Sequence, residues 1–209
     1  MQKLVKSIKS LKTTKISTLV EERMALFRAL GRSGEEGIFK ELCFCILTAN
    51  YSAEGGIRIQ KEIGSGFLTL SESGLSSELK RLGYRFPNMR ARYIVDARSK
   101  RKALAKAISS LEGRALRCWL AENIYGLGYK EASHFLRNIG YREFAIIDFH
   151  IIDILAANGV IEKPSKKSLA KKRYEEIEEV LAILAEKSGT SQGELDLYLW
   201  YMETGKILK

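Results

Sequence analysis

Apolar residues recur at helical spacing along almost the whole chain, and the breaks between runs fall on capping and breaking residues. Thr18 opens a pattern through Leu19, Met24, Phe27 and Leu30 that Gly31 closes. Ser33 opens the next, through Phe39, Leu42, Ile46 and Leu47 toward Asn50. The same grammar predicts helices over residues 52–64, 74–83, 87–98 and 100–109. After Gly113 comes a helix through Leu116, Trp119, Leu120 and Ile124, then a turn at 126–128, then a second helix from Tyr129 to about Asn138. The most apolar stretch holds Ile146, Ile147, Phe149, Ile151, Ile152, Ile154 and Leu155, which places it in the middle of the fold. A long amphipathic helix is predicted over 165–189 and a last one over 191–205, with 206–209 as a tail. Strand signals are scarce, so the expected class is all-α, and helices this short must be stabilised by packing.

Composition narrows the picture. At 209 residues, with 45% hydrophobic residues, two prolines and no low-complexity tract, the chain reads as folded, long enough for one sizeable core or two small domains. Lys and Arg outnumber Asp and Glu by 35 to 25, for a formal charge of +10. That balance suits a polyanionic partner through counterion release, and it equally suits plain solubility. Clustering adds more: Lys80, Arg81, Arg85, Arg90, Arg92, Arg98, Lys100, Arg101 and Lys102, with Asp96 the one acid among them, read as a phosphate-facing surface. Residues 1–15 carry a lysine at every third position and lack the apolar core of a signal peptide. No segment is long and uncharged enough to span a bilayer, so the expected location is the cytosol or nucleoid. Cys43, Cys45 and Cys118 are expected as buried free thiols; with no four-cysteine set and two histidines, no protein-made metal site is expected.

The chemistry centres on Ile124-Tyr125-Gly126-Leu127-Gly128-Tyr129-Lys130-Glu131-Ala132. Gly126 and Gly128 permit a tight turn and close backbone approach, and Leu127 would anchor that turn in the core. The N–H groups of the turn and of the following helix then face outward as a grip for a DNA phosphate, although a plain interhelical loop uses the same residues. Lys130 falls in the first turn of the second helix, where the helix dipole and partial burial both disfavour a positive charge. This suits an amine that forms a Schiff base; a phosphate contact is its simpler role. Asp148, at 148 − 130 = 18 residues downstream, precedes a helix over 149–157 and is expected to cap it. A capping carboxylate that stays ionised is also what a cationic sugar needs for stabilisation.

The hairpin ending in Lys130, followed by Asp148-Phe149-His150, resembles the helix-hairpin-helix superfamily of base-excision DNA glycosylases. A lysine at this position implies a bifunctional enzyme, glycosylase and strand-cleaving lyase. More narrowly, the whole chain is similar to the compact second class of 8-oxoguanine DNA glycosylase/lyases found largely in archaea, through residues 47–50, 83–86, the hairpin and 200–209. The missing cysteine cluster separates it from the endonuclease III branch. The missing N-terminal β domain separates it from the larger eukaryotic type.

The resemblance implies a single glycosylase unit over 1–209 with two helical subdomains, and a helix-hairpin-helix motif over about 114–138 at the cleft between them. It implies that Lys130 attacks C1′ of a flipped nucleotide and that Asp148 stabilises the developing charge, with β-elimination to follow. Asn50 would fill the gap the nucleotide leaves; a helix C-cap is its ordinary alternative. Trp200, and more loosely Phe86, would stack on the purine, and Lys209 would offer its terminal carboxylate to the N7–H that distinguishes 8-oxoguanine from guanine. The implied partner is duplex DNA containing 8-oxoguanine, handled by a monomer with no membrane and no organic cofactor. Any bound cation is expected to be a structural one at the hairpin carbonyls. Two alternatives stay open: a noncatalytic helix-hairpin-helix DNA-binding protein, and a glycosylase/lyase for oxidised pyrimidines.

Overall fold

The computed structural model describes residues 1–49, 51–165 and 169–209. Among the described residues there are thirteen helices and no strand: α1 (Gln2–Lys12), α2 (Lys15–Gly31), α3 (Gly34–Thr48), α4 (Ala53–Ile63), α5 (Gly66–Thr69), α6 (Glu72–Arg81), α7 (Pro87–Ser99), α8 (Arg101–Ser110), α9 (Gly113–Asn123), α10 (Tyr129–Asn138), α11 (Phe149–Ala157), α12 (Lys171–Ser188) and α13 (Gln192–Thr204). The expected all-α class is what the chain adopts. It divides into two compact units, Met1–Ala29 with Leu136–Lys209, and Leu30–Phe135.

In the unit Leu30–Phe135, α3 is central: Phe39, Leu42, Phe44, Ile46 and Leu47 are fully buried, and the helix packs against α4, α5, α7 and α8. A helix apolar on nearly every side belongs in a core. The basic stretch that precedes α9 is not one phosphate-facing surface. Arg90 is buried and donates to the Ala49 carbonyl at 3.1 Å, while Arg98 donates to the Phe67 and Leu70 carbonyls at 3.0 and 2.9 Å. Lys100 pairs with Asp96 and donates to the Asn123 carbonyl, and Arg81 pairs with Glu78. Helix ends and loops leave carbonyls that need donors, and these cations supply them. Tyr84 does the same for the Leu47 carbonyl at 2.7 Å, so Tyr84 and Arg90 together hold the end of α3.

The turn between α9 and α10 is tightly specified. Ile124 and Leu127 are buried, and the Leu127 amide donates to the Ile124 carbonyl at 3.2 Å. Gly126 has a φ of +89°, and a Cβ there would sit 2.8 Å from the Tyr93 ring and 2.9 Å from the Arg90 guanidinium. Gly128 donates its amide to Glu131 at 3.2 Å and accepts from the Ala132 amide at 2.9 Å, which starts α10.

In the other unit, α13 packs against α1, α11 and α12. Its start carries a capping box in which Ser191 and Glu194 bond each other's backbone amides. Residues 144–147 enter α11 as buried non-helical chain, and the Tyr174 hydroxyl of α12 clamps them, donating to the Ala145 carbonyl at 2.7 Å and accepting from the Ile147 amide at 3.2 Å. Asp148 then caps α11 as expected, accepting from the Ile151 amide at 3.0 Å.

Several boundaries differ from the sequence expectation. The basic N-terminus forms α1, with Leu4 and Ile8 buried one turn apart. Helix α6 begins at Glu72 rather than Gly74 because the Ser71 side chain caps it. Helix α12 begins at Lys171 after an extended Ala170, and residues 166–168 of the expected helix over 165–189 lie outside the described residues.

Two stability predictions follow from this packing. Tyr174→Phe leaves a buried carbonyl and amide without their bridge and should lower the unfolding free energy by about 1–3 kcal/mol in urea titrations; an unchanged midpoint would show the clamp to be idle. Gly126→Ala forces a side chain into a left-handed backbone already in contact with Tyr93. The variant should lose about 1–3 kcal/mol, and wild-type melting would refute the strain.

Candidate active site

Lys130 stands at the second position of α10, its side chain 29% exposed, with Nζ 3.2 Å from the Glu131 carboxylate. The other Glu131 oxygen is the one that accepts from the Gly128 amide. One carboxylate thus ties the lysine to the turn that precedes it. The turn residues Gly126, Leu127 and Gly128 and the amine therefore form a single structural feature. Tyr129 also belongs to it, its hydroxyl 2.9 Å from Cys118 Sγ on α9. Phe86 lies in the same unit, at the residue before Pro87, partly exposed with the Arg85 guanidinium 4.9 Å over its ring.

Asp148, Trp200 and Lys209 lie in the other unit. His150, two residues after Asp148, meets Trp200 edge-on at 4.9 Å between ring centroids, and its Nδ1 is 3.7 Å from Glu203. Phe149, exposed, lies against the His150 ring at 4.0 Å. His150 thereby links the capping aspartate to the tryptophan, on helices α11 and α13 that pack together. Trp200 is half-buried, and its indole N–H is buried with no hydrogen-bond partner among the described residues. Lys209 is half-buried rather than projecting as a free tail.

The same unit holds a buried ion pair, Arg137 to Asp196 at 2.9 Å, with Arg137 also donating to Asn138 and lying over the Phe27 ring. Burial pushes the Asp196 carboxyl up to about 7, against the pull of the Arg137 guanidinium, and the charge of Asp148 adds to the rise.

Asn50 lies outside the described residues. Glu131 was missed by sequence reasoning, although an acid three residues after a glycine at a helix start is a readable capping signal. Tyr174 carries no such signal, because its bonds to Ala145 and Ile147 depend on segments distant in the chain. Among the described residues no group of three His, Cys, Asp or Glu side chains could hold a metal ion. Among them, too, no helix is long and apolar enough to cross a membrane.

Residues 20–190 match the family model described as 8-oxoguanine DNA glycosylase. A protein of Korarchaeum cryptofilum named 8-oxoguanine DNA glycosylase/AP lyase is 51% identical over 207 residues, 99% of this chain and 98% of its own. A crystal structure of the Methanocaldococcus jannaschii 8-oxoguanine glycosylase/lyase, in complex with 15-mer DNA containing 8-oxoguanine, superposes with a TM-score of 0.95 at 48% identity, covering 99% of each chain. The 8-oxoguanine DNA glycosylase of Thermotoga maritima superposes with a TM-score of 0.93 at 43% identity, over 100% of this chain and 99% of that one. With a helix-hairpin-helix motif at Gly126–Lys130 and end-to-end likeness of this order, the chain belongs to the 8-oxoguanine DNA glycosylase family.

Proposed function

We propose that this protein is a bifunctional 8-oxoguanine DNA glycosylase/AP lyase acting on duplex DNA in base excision repair. The observation that carries it is the glycine turn leading directly into a partly buried lysine, in a chain similar from end to end to proteins of that name. The substrate base lies inside a stack and must be flipped out before chemistry can reach its sugar.

In the proposed reaction the Lys130 Nζ lone pair forms a bond to C1′, the bond from C1′ to N9 breaks, and the base leaves with that electron pair and takes up a proton. The sugar ring opens to give the Schiff base. Loss of a C2′ proton then expels the 3′ phosphate by β-elimination, and water releases the lysine. Asp148 is assigned the stabilisation of positive charge on the sugar. Its support is its position as the cap of α11, where a carboxylate is held in one orientation by the Ile151 amide. The hairpin turn Gly126, Leu127 and Gly128 is assigned the phosphate grip, with the Leu127 amide already donated to the Ile124 carbonyl and the Gly128 amide to Glu131, so that the Gly126 amide is the donor left for a phosphate unless Glu131 moves. Trp200, with Phe86, is assigned the stacking of the flipped purine, and the Trp200 indole N–H left without a partner suits a side chain that meets a ligand. The Lys209 carboxylate is assigned the N7–H of 8-oxoguanine. The amine supplies the chemistry, so the reaction calls for no organic cofactor.

Borohydride trapping tests the nucleophile. The wild type should form a covalent adduct with an 8-oxoguanine duplex, and Lys130→Gln should form none while still binding the duplex; an adduct that persists assigns the chemistry to another residue. A duplex panel that traps only with oxidised pyrimidines would replace the substrate. Deleting Lys209 draws the terminal carboxylate back to Leu208, out of place for the group that tells the two purines apart. Preference for 8-oxoguanine over guanine should fall about ten- to a hundredfold with duplex affinity retained, and unaltered preference would refute this assignment.

A further inference from the structure

Arg117, on α9, is fully buried, with 0% of its surface exposed. Its guanidinium carbon lies 4.8 Å over the ring of Tyr129, and Nη1 donates to the Ser133 hydroxyl at 3.2 Å. Its neighbour Cys118 meets the Tyr129 hydroxyl at 2.9 Å. Tyr129 and Ser133 stand four residues apart and so share one face of α10. Lys130 follows the first and precedes the second, and its stem leaves the helix about 60–100° around from that face.

We propose that Arg117 is a positioning residue: it fixes the rotation of α10 about its own axis and thereby the line along which the Lys130 amine meets C1′. The proposal rests on the reading of Lys130 as the nucleophile. Adhesion between α9 and α10 does not call for an arginine, since an apolar side chain of similar volume fills the same space without desolvating a charge. What the guanidinium adds is direction. Its flat face takes the tyrosine ring while its donor fork takes the serine, and only one rotational setting of α10 satisfies both. A displacement of about 1 Å at a reacting group is enough to slow a reaction roughly a hundredfold.

The test separates placement from stability and from binding. Single-turnover borohydride trapping at saturating enzyme gives the rate of Schiff-base formation, duplex titration gives Kd, and thermal melting reports the fold. In Arg117→Met the trapping rate should fall about ten- to a hundredfold with Kd within about twofold of wild type, and Arg117→Lys should recover only part of the loss. Ser133→Ala and Tyr129→Leu remove the two acceptors on α10 and should each slow trapping. Either one combined with Arg117→Met should add nothing further, because all act through one arrangement. A folded Arg117→Met that traps at the wild-type rate overturns the proposal, as does a Kd that weakens in step with the rate. Should Arg117→Met fail to fold, unaltered trapping in both Ser133→Ala and Tyr129→Leu overturns it instead. Lys130→Gln in the same assay reports separately on the nucleophile: an adduct that survives there removes the parent reading, whatever Arg117 does.

Discussion

Between α9 and α10 the chain reverses in a space that excludes even a methyl group. Gly126 takes a left-handed φ with the Tyr93 ring and Arg90 guanidinium closed around it, and buried Leu127 fixes the next residue in the core. From Ala132 to Ile139 every residue is buried, so α10 has little freedom once its first turn is set. The position of the amine at Lys130 is therefore inherited from the backbone of the turn. A lysine stem carries four rotatable carbons, and what limits its reach to a useful volume is the place from which it starts.

Buried polar groups hold elements in both units, among them those that carry the proposed catalytic residues. Arg117 faces α10, Arg90 and Tyr84 hold the end of α3, Tyr174 clamps the chain before Asp148, and Arg137 is paired with Asp196. Apolar side chains would stabilise the same packing at lower desolvation cost. Hydrogen bonds differ in having a direction, and a network with all its members satisfied admits one geometry where a greasy contact admits several. In this chain two of them, Arg117 and Tyr174, contact segments next to the proposed catalytic residues Lys130 and Asp148.

The class of fold and the hairpin were legible in the sequence because both are local: helical spacing of apolar residues, Gly126 and Gly128, and an aspartate at the head of an apolar run. Asp148 capping α11 is such a case, since a cap and its amide lie three residues apart. Helix α1 was not legible. A lysine at every third position dominates residues 1–15, while the contact that makes them helical is two residues, Leu4 and Ile8, packing on a unit completed after residue 136. Charge misled in a related way. An arginine in sequence reads as surface, yet Arg90 and Arg98 donate to carbonyls that only tertiary structure brings within reach. The start of α6 was misplaced because Ser71, not Gly74, supplies the cap, and the two signals lie three residues apart.

Glu131 joins the proposed phosphate grip and the proposed nucleophile in one side chain. Its carboxylate accepts from the Gly128 amide on one side and faces the Lys130 Nζ at 3.2 Å on the other. The Gly128 amide is one of the donors that a phosphate at the turn would take, and two anions do not share one N–H comfortably. A phosphate bound there must turn the Glu131 carboxylate aside, and the charge facing the amine then changes with it. Binding a phosphate at the turn and altering the surroundings of the proposed nucleophile would, in this arrangement, be two ends of one side chain's movement.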